Sequence, residues 1–572
     1  MVRAHDRIGS IRTFECQRVV MNTSASLTRH AGKGDESIPC WKKPRNFSLI
    51  SLRRARDENL RRSSPQQGGR LPGMLFAAGA ALAMLVATPA VVPSATAAVR
   101  PSVCIAGGGI GGLFTAVTLR RQGFDVAVFE RTSEYRPFGG PIQIASNGLD
   151  AVGRIDPDLL DDILAAATCI GDRKNGLKDG KSNEWFATFD LKSPAEKRGQ
   201  HPSVVIDRPV LQELLLKRVA DCVTTGVEVV GCEQHEGNEG SSRPHGSVTT
   251  LLSDGRRHES DFLIGSDGIK SKIRSVFDPG EGPPSWSGYT CFAAIAYCVP
   301  HDIAEVGYKV FLGRRKYFVS VDVGGGRIQW YAFLNIPPGG VPETARKGEG
   351  ALDFLRTEFE GWSEEVFQLI DETPFDEVEQ RDLYDRPPQL TWAMNRVCLL
   401  GDAAHPMMPN LGQGGCMAIE DAYVLGRELG RVDNQPSAIP LALKRYNQNR
   451  VVRAAAVQGM SRASSAILFQ YNHPFKLVSA WPPRVQNIKP KSILTRMGQG
   501  FLQAAAFPLQ FEFLFDFPGP LAETRVEGLS LAEKVLMGLE VAASKGIGRA
   551  LERVISLDRL RPSSVEPPSR PA

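Results

Sequence analysis

The stretch that most constrains this chain is Val103 to Arg131, VCIAGGGIGGLFTAVTLRRQGFDVAVFER. A short apolar run, Val103–Ala106, reads as a buried strand. Gly107-x-Gly109-x-x-Gly112 follows at once, with Gly111 beside the last glycine. Leu113 to Gln122 has helical spacing, Gly123 ends it, and Asp125 to Phe129 reads as a second strand closed by Glu130. Each part has a physical task. Gly107 permits the tight turn, Gly109 lets backbone come close to a pyrophosphate, and Gly112 lets the helix pack against the strand. The helix N-terminus turns unpaired N–H groups and the positive end of its dipole toward phosphates. Glu130 lies eighteen residues past Gly112, near the spacing of a ribose-binding acid. A glycine triplet alone is a weak signal. Strand, glycines, helix, strand and acid in order point to a site for an ADP moiety, without choosing between NAD and FAD.

With 572 residues the chain is long enough for two or three domains or one large composite fold. A hydrophobic content of 42% supports a large core. The net charge of +5 is unevenly placed: Met1 to Arg70 holds fifteen Lys/Arg against six Asp/Glu. The remainder is slightly acidic, so nothing argues for a nucleic-acid partner. Ten cysteines are scattered without metal-type pairing, and Cys291 and Cys298 stand too far apart for a C-x-x-C site. No metal site is expected, and ordinary buried thiols in a reducing compartment fit best. Cys416 sits in a glycine-rich motif and reads as a small packing residue rather than a nucleophile.

Residues 1–100 read as a targeting region. The basic front resembles an organelle transit segment, although its acids weaken that reading, and a disordered tail competes with it. Leu71 to Val99 carries no charge and ends in Ala95-Thr96-Ala97. Its apolar core, Met74 to Thr88, is short for a membrane span, so a second signal-type element competes with an anchor. An Arg-rich segment followed by an apolar one points to a plastid. The fold should begin near Pro101.

Arg136 to Asn147, RPFGGPIQIASN, offers a glycine loop in which backbone can lie close to a flat ring, with a short strand at Ile142 to Ile144. An ordinary loop is the competing reading. Val204 to Val219 runs from strand to helix, with Pro209 in the first turn and Asp207 as a cap. Arg208 and Gln212 are four apart and share a face, either as surface residues or as contacts to an anionic cofactor. Thr249 to Arg274 holds a hairpin around Ser253-Asp254-Gly255. Next come an apolar strand, Phe262 to Ile264, the turn Gly265-Ser266-Asp267-Gly268, and a basic helix start. Asp267 at the strand end is placed for hydroxyl or pyrophosphate-side contacts. Ser285 to Leu334 alternates and is rich in aromatics, which marks an antiparallel sheet able to wall an apolar cavity.

Asn395 to Leu425, NRVCLLGDAAHPMMPNLGQGGCMAIEDAYVL, repeats the logic of the first stretch. Val397 to Leu400 is a buried strand ending in Gly401-Asp402. Gly412-Gln413-Gly414-Gly415 opens a helix over Cys416 to Leu429, a second dipole-bearing N-terminus beneath a glycine loop. His405 reads as a satisfied structural histidine.

The glycine fingerprint with Glu130, the Gly265–Arg274 stretch and the Gly401–Asp402 stretch occur in this order at large separations. Together they resemble the FAD-dependent aromatic-hydroxylase-type monooxygenases. Within that family, GGPIQIASN, YFVSVDVGGGRIQWYAF, RDLYDRPP and GDAAHPMMPNLGQGGCMAIEDAY are similar to stretches of the epoxidases that act on carotenoids, from about Pro101 to about Ser465. The resemblance implies an α/β (α+β mixed) fold: a Rossmann-like FAD-binding domain with a GxGxxG βαβ unit, interleaved with an antiparallel-sheet substrate domain, plus C-terminal helices. The monooxygenase domain would span 101–465, with the substrate sheet at about 284–390. A C-terminal helical or apolar region would span 466–562, and a disordered tail 563–572. Plant members of this type carry a forkhead-associated domain at the C-terminus; this chain ends without one, which puts phosphopeptide-linked regulation in doubt.

The resemblance also implies roles. Gly107, Gly109, Gly111, Gly112, Glu130 and Arg131 would hold the ADP half of FAD. Arg208 and Gln212 would contact the cofactor near its middle. Asp267 and Gly268 would face the pyrophosphate side and the entering NADPH. Asp402 would bind the ribityl or pyrophosphate region. Pro409, Gly412, Gln413, Gly414 and Gly415 would aim a helix N-terminus at the isoalloxazine pyrimidine ring. The reductant is NADPH, directly or through a reductase or ferredoxin, and O₂ is the co-substrate. The oxidant would be a flavin C4a-hydroperoxide, so no side chain is nominated as catalytic. The substrate would be a xanthophyll, with zeaxanthin converted to antheraxanthin and violaxanthin; oligomeric state is not legible. A hydroxylase of small aromatics or quinones, and a non-catalytic flavin-binding protein, are the alternatives. A lipid-resident carotenoid implies peripheral contact with the thylakoid membrane. Gln503 to Phe517, QAAAFPLQFEFLFDF, is apolar enough to be a docking patch or tunnel mouth, and core packing explains it equally well.

Overall fold

The computed structural model describes residues 100–135, 140–240, 243–433, 435–470 and 506–518. The targeting region 1–99, most of the region after 470 and the tail 563–572 lie outside the described residues, as does part of the loop at 136–139.

Two sheets organise the molecule. The first is a six-stranded sheet built around Ser102–Ala106, which is buried along most of its length. Asp125–Glu130 pairs with it in parallel on one side and Phe262–Gly265 on the other, in the register Val103↔Val126 and Val103↔Phe262. Val223–Thr225 extends one edge in parallel. Val397–Leu399 extends the other in parallel and carries an antiparallel edge strand, Ala393–Met394. Parallel strands covered on both faces read as near-continuous apolar runs, and VCIA, FLI and VCL are such runs. The helices Ile110–Arg121 and Gly414–Gly430 pack together: a Cβ on Gly111 would lie 3.2 Å from the Ala418 Cβ. A long helix, Ile439–Gln470, lies against the second of these.

The second sheet has seven strands. In order they are Glu379–Asp385, Ser285–Ala296, Ile328–Leu334, Lys316–Asp322, Val306–Gly313, Lys174–Asp179 and Trp185–Phe189. The expected antiparallel sheet is present, and it reaches back beyond the 284–390 span to recruit two strands from 174–189. One pair, Val306–Gly313 with Lys174–Asp179, is parallel. KNGLKD carries no strand signature. It is drawn in by long-range pairing, and Lys178 is buried there against Glu365, 3.0 Å away. Strand alternation sorts the aromatics between two faces. Phe292, Phe311, Phe318 and Trp330 pack against the helices Glu349–Glu358 and Glu364–Asp371. Tyr289, Tyr317 and Phe333 face the opposite way, toward Met408.

Two local expectations change. Gly265–Gly268 is followed by a 3₁₀ turn, Ile273–Val276, rather than a helix. Its Arg274 is buried, bonded to the carbonyls of Ala403 and Ala404 and to Glu281, and it braces the flanking loop. Asp207 stands at the N-cap of Arg208–Val219 but makes no capping bond, because its carboxylate pairs with Arg327 at 2.9 Å.

The apolar stretch near 507 forms a short helix, Phe507–Phe515. Its end is core, with Leu514, Phe515 and Phe517 buried, while Leu509 at its start is 70% exposed. No helix among the described residues is long and apolar enough to cross a membrane.

Candidate functional site

The first glycine loop folds back on the neighbouring strands. Gly107 has φ +100°, and a Cβ there would lie 2.4 Å from the Ser266 carbonyl oxygen. Gly112 is pressed against the same loop: its Cβ would lie 2.0 Å from the Gly107 oxygen. Gly109 is the opposite case. It caps the helix, is exposed, and a Cβ on it would meet nothing within 4 Å. Glu130 fixes the loop from the next strand, accepting the Gly108 N–H at 2.7 Å and the Thr132 N–H at 2.8 Å. Arg131 beside it is exposed.

Asp267 stands at the end of the adjoining strand. Its Oδ2 accepts the N–H groups of Lys272 and Ile273 at 2.6 and 3.3 Å. Its Oδ1 is buried and without a partner among the described residues. Burial pushes its pKa up, against the hydrogen bonds from Ser271 and the turn amides. Gly268, at φ +77°, faces open space. Across the next strand, Asp402 keeps an accessible surface although protein surrounds it on nearly every side, so it opens into a cleft. Burial raises its pKa while His405 and Arg208 oppose the rise. Arg208, exposed at the start of its helix, lies near enough that its charge acts on both Asp402 and Tyr331 of the large sheet. Gln212 is half-buried one turn along that helix.

The second glycine loop completes the cleft. Pro409–Leu411 is a 3₁₀ turn ending at Gly412, whose φ is +61°. The helix after it begins at Gly414 with no side-chain cap and no acid in its first turn, and a Cβ on Gly414 would meet nothing within 4 Å. Its first N–H groups lack intrahelical acceptors, which suits an electron-rich ligand edge. Gly415 closes on Ile142. Gln413 differs from expectation: its side chain is buried and accepts from Asn147 Nδ2 at 2.9 Å, so only its backbone is free to face a ligand.

Beneath this helix lies a set of buried charges that motif reading misses. Arg450 donates to Glu420 and Asp421, both at 2.7 Å. Arg453 donates to Glu420 at 2.8 Å and to the Leu514 carbonyl at 2.7 Å. Asp421 accepts the Gly401 N–H at 3.0 Å and contacts His405 Nε2 at 2.6 Å. Burial would raise both acids; His405 and the arginines instead hold them below the usual range. The available signal was the adjacent acid pair inside the otherwise apolar helix CMAIEDAYVL. A second missed group joins the glycine turn to the large sheet. Tyr289 donates to Asn410 Oδ1 at 2.8 Å, and Asn410 Nδ2 donates to the Tyr317 hydroxyl at 3.1 Å. Cys416 is fully buried, and its thiol pKa is pushed up to about 12, so it packs and does not attack.

These residues suit a dinucleotide such as FAD. Open backbone at Gly109, a second uncapped helix at Gly414 and a buried, unpartnered carboxylate oxygen on Asp267 are features that a bound diphosphate, flavin edge and hydroxyl would satisfy. Among the described residues no group of three or more His, Cys, Asp or Glu could hold a metal.

Known proteins agree with this geometry. Residues 375–461 match the FAD binding domain family, and residues 105–140 match an NAD(P)-binding Rossmann-like domain. Chloroplastic zeaxanthin epoxidase of Nicotiana plumbaginifolia is 38% identical over 482 residues, covering 80% of this chain and 69% of that protein. The Spinacia oleracea protein of the same name is 39% identical over 456 residues, covering 77% and 64%. The chain thus spans about two thirds of the length of these curated relatives. Among solved structures, Klebsiella pneumoniae HpxO complexed with FAD and uric acid superposes with a TM-score of 0.60 at 25% identity, covering 73% of this chain and 98% of that one. A salicylate hydroxylase substrate complex shares the fold at a TM-score of 0.56 and 20% identity, covering 77% and 98%. Fingerprint, second glycine helix and overall likeness converge: the chain belongs to the zeaxanthin epoxidase family of FAD-dependent monooxygenases.

Proposed function

We propose that this enzyme inserts one oxygen atom into the ring double bond of zeaxanthin, giving antheraxanthin and then violaxanthin, in a plastid and at the thylakoid surface. The balance is alkene, O₂, NADPH and a proton to epoxide, NADP⁺ and water. The observation that carries this reading is the sheet face beside the second glycine loop. Tyr289, Tyr317, Tyr331 and Phe333 form an aromatic wall there, and burial pushes the three phenols well above their usual pKa. Such a wall suits a long apolar substrate and supplies no base, and adding oxygen to an alkene requires none.

When bound, FAD supplies the redox chemistry, taking reducing equivalents from NADPH and activating O₂. The chain does the rest. Gly107, Gly111 and Gly112 would shape the turn that receives the pyrophosphate at the open backbone of Gly109, with Glu130 and Arg131 on the ribose side. Asp267 and Gly268 would meet the pyrophosphate and the entering nicotinamide cofactor. Arg208, Gln212 and Asp402 would grip the middle of the cofactor. Pro409 and Gly412–Gly415, with the backbone of Gln413, would present N–H groups to the flavin edge and favour negative charge there. The aromatic wall would position the alkene and keep water out.

Incubating FAD-loaded protein with zeaxanthin, lipid and NADPH and analysing the pigments tests this directly. Antheraxanthin should precede violaxanthin. NADPH-dependent oxygen insertion into a small aromatic, with zeaxanthin untouched, would show a hydroxylase instead.

A further inference from the structure

The wall beside the flavin loop continues outward along the same face of the sheet. Tyr317 stacks on Phe333 at 4.4 Å between ring centroids, and Tyr308 lies on the same face at Val321 in the neighbouring strand. Tyr308 meets Phe189 at 6.2 Å, and Phe189 meets Phe507 at 5.4 Å and Phe511 at 5.5 Å. The tract therefore ends under the helix Phe507–Phe515. Immediately beyond Phe507, Pro508 is exposed and Leu509 is 70% exposed, so the tract reaches the surface at an apolar tip.

That helix is held unevenly. Among the described residues, every hydrogen bond and ion pair tying it to the body falls at its far end or just past it. Arg198 donates to Glu512, Arg453 to the carbonyls of Phe513 and Leu514, and Gln200 to those of Phe515 and Phe517. Among the described residues, the Phe507 end is held by apolar contacts, to the Phe189 ring and to the core on this face of the large sheet. Charge-assisted bonds resist displacement, whereas an apolar ligand can replace ring contacts at little cost.

We propose that Phe507, resting on Phe189, lines and closes the outer end of the substrate tract, and that the polyene enters by parting these rings while the helix stays anchored at 512–517. The inference rests on the carotenoid reading above and adds to it the residue that selects for a long substrate. A substrate with two rings joined by a polyene spans both the flavin end and the Phe507 end. A one-ring fragment occupies the flavin end only.

The test uses the FAD-loaded full chain with Phe507→Ala and Phe507→Leu. KM and kcat are measured for zeaxanthin in lipid vesicles, and the inhibition constant for a single β-ring alkene lacking the polyene. Phe507→Ala should raise the zeaxanthin KM about tenfold with kcat within twofold and the fragment's inhibition constant within twofold; Phe507→Leu should recover most of the loss. Flavin content and thermal unfolding should match the parent. Parallel changes for both ligands, or unchanged zeaxanthin KM in an enzyme whose parent epoxidises zeaxanthin, would overturn the assignment. A parent that leaves zeaxanthin untouched would instead sink the carotenoid reading itself.

Discussion

Arg450→Met is the most informative perturbation of the buried charge set. Arg450 is fully buried and binds Glu420 and Asp421 at 2.7 Å each, with a further bond to the Met417 carbonyl at 3.3 Å. Met replaces much of the aliphatic stem and none of the charge. Breaking a buried pair from one side costs about 3–5 kcal/mol, because the remaining charge is stranded away from water. Here Glu420 keeps Arg453 at 2.8 Å and Asp421 keeps His405 at 2.6 Å. The lower end, about 3 kcal/mol, is therefore expected. Chemical denaturation of the FAD-free chain at pH 7 reads this number, provided the transition is two-state. The pH dependence has a definite sign. Both acids are held below their ordinary values of 4.5 and 3.8. Their contribution to parent stability is present above those values and is lost as the pH falls through the depressed folded values. In the variant, loss of Arg450 removes part of the attraction that opposes burial, so the folded pKa values should rise. Protonation then relieves the stranded charge, so the gap between parent and variant should narrow between pH 7 and pH 5. A gap under about 1 kcal/mol at pH 7, or one that widens toward pH 5, would refute the assignment of these charges as a mutually compensated set.

Other outcomes follow from the same geometry. Gly107→Ala meets both a φ of +100° and a Cβ 2.4 Å from the Ser266 oxygen, so the purified protein should be colourless and should fail to take up FAD in absorbance titrations. Cys416→Ala should keep flavin binding and turnover, and the parent thiol should resist alkylation at pH 8, since its pKa is pushed up to about 12. Asn410→Leu removes the bridge between the Tyr289 and Tyr317 hydroxyls at the turn before Gly412, while Ser465 still donates to Tyr289 at 3.0 Å. It should cost about 1–3 kcal/mol in stability and increase the peroxide released per NADPH consumed.

The sequence carried the local half of the site clearly. Strand, glycine turn and helix are contiguous in Val103–Arg131, and the elements form where the spacing puts them, with the helix starting three residues early at Ile110. The second loop was equally legible, apart from the inward turn of Gln413. Its partner Asn147 lies 266 residues away. Nothing local marks Arg450 and Arg453 as buried, because their acids sit 29 to 33 residues earlier and only the packing of two helices brings them together. The strand at 174–179 was invisible for a related reason. Lys178 is buried through a partner elsewhere, Glu365, while Lys174 at the exposed start of the strand lies over the Trp185 ring at 4.1 Å. Pairing at long range overrides local propensity in such cases.

The strand Val397–Leu399 joins its sheet beside Phe262–Gly265, some 130 residues upstream, and Asp421 then fastens Gly401 at its end. The cleft consequently has no second wall until the chain beyond residue 421 has left the ribosome. A nascent chain can assemble the ADP end early, yet it has nothing to clasp the ring end of a flavin until translation is well past that point. A grip on both ends of a cofactor thus waits for the late helix to join the early sheet.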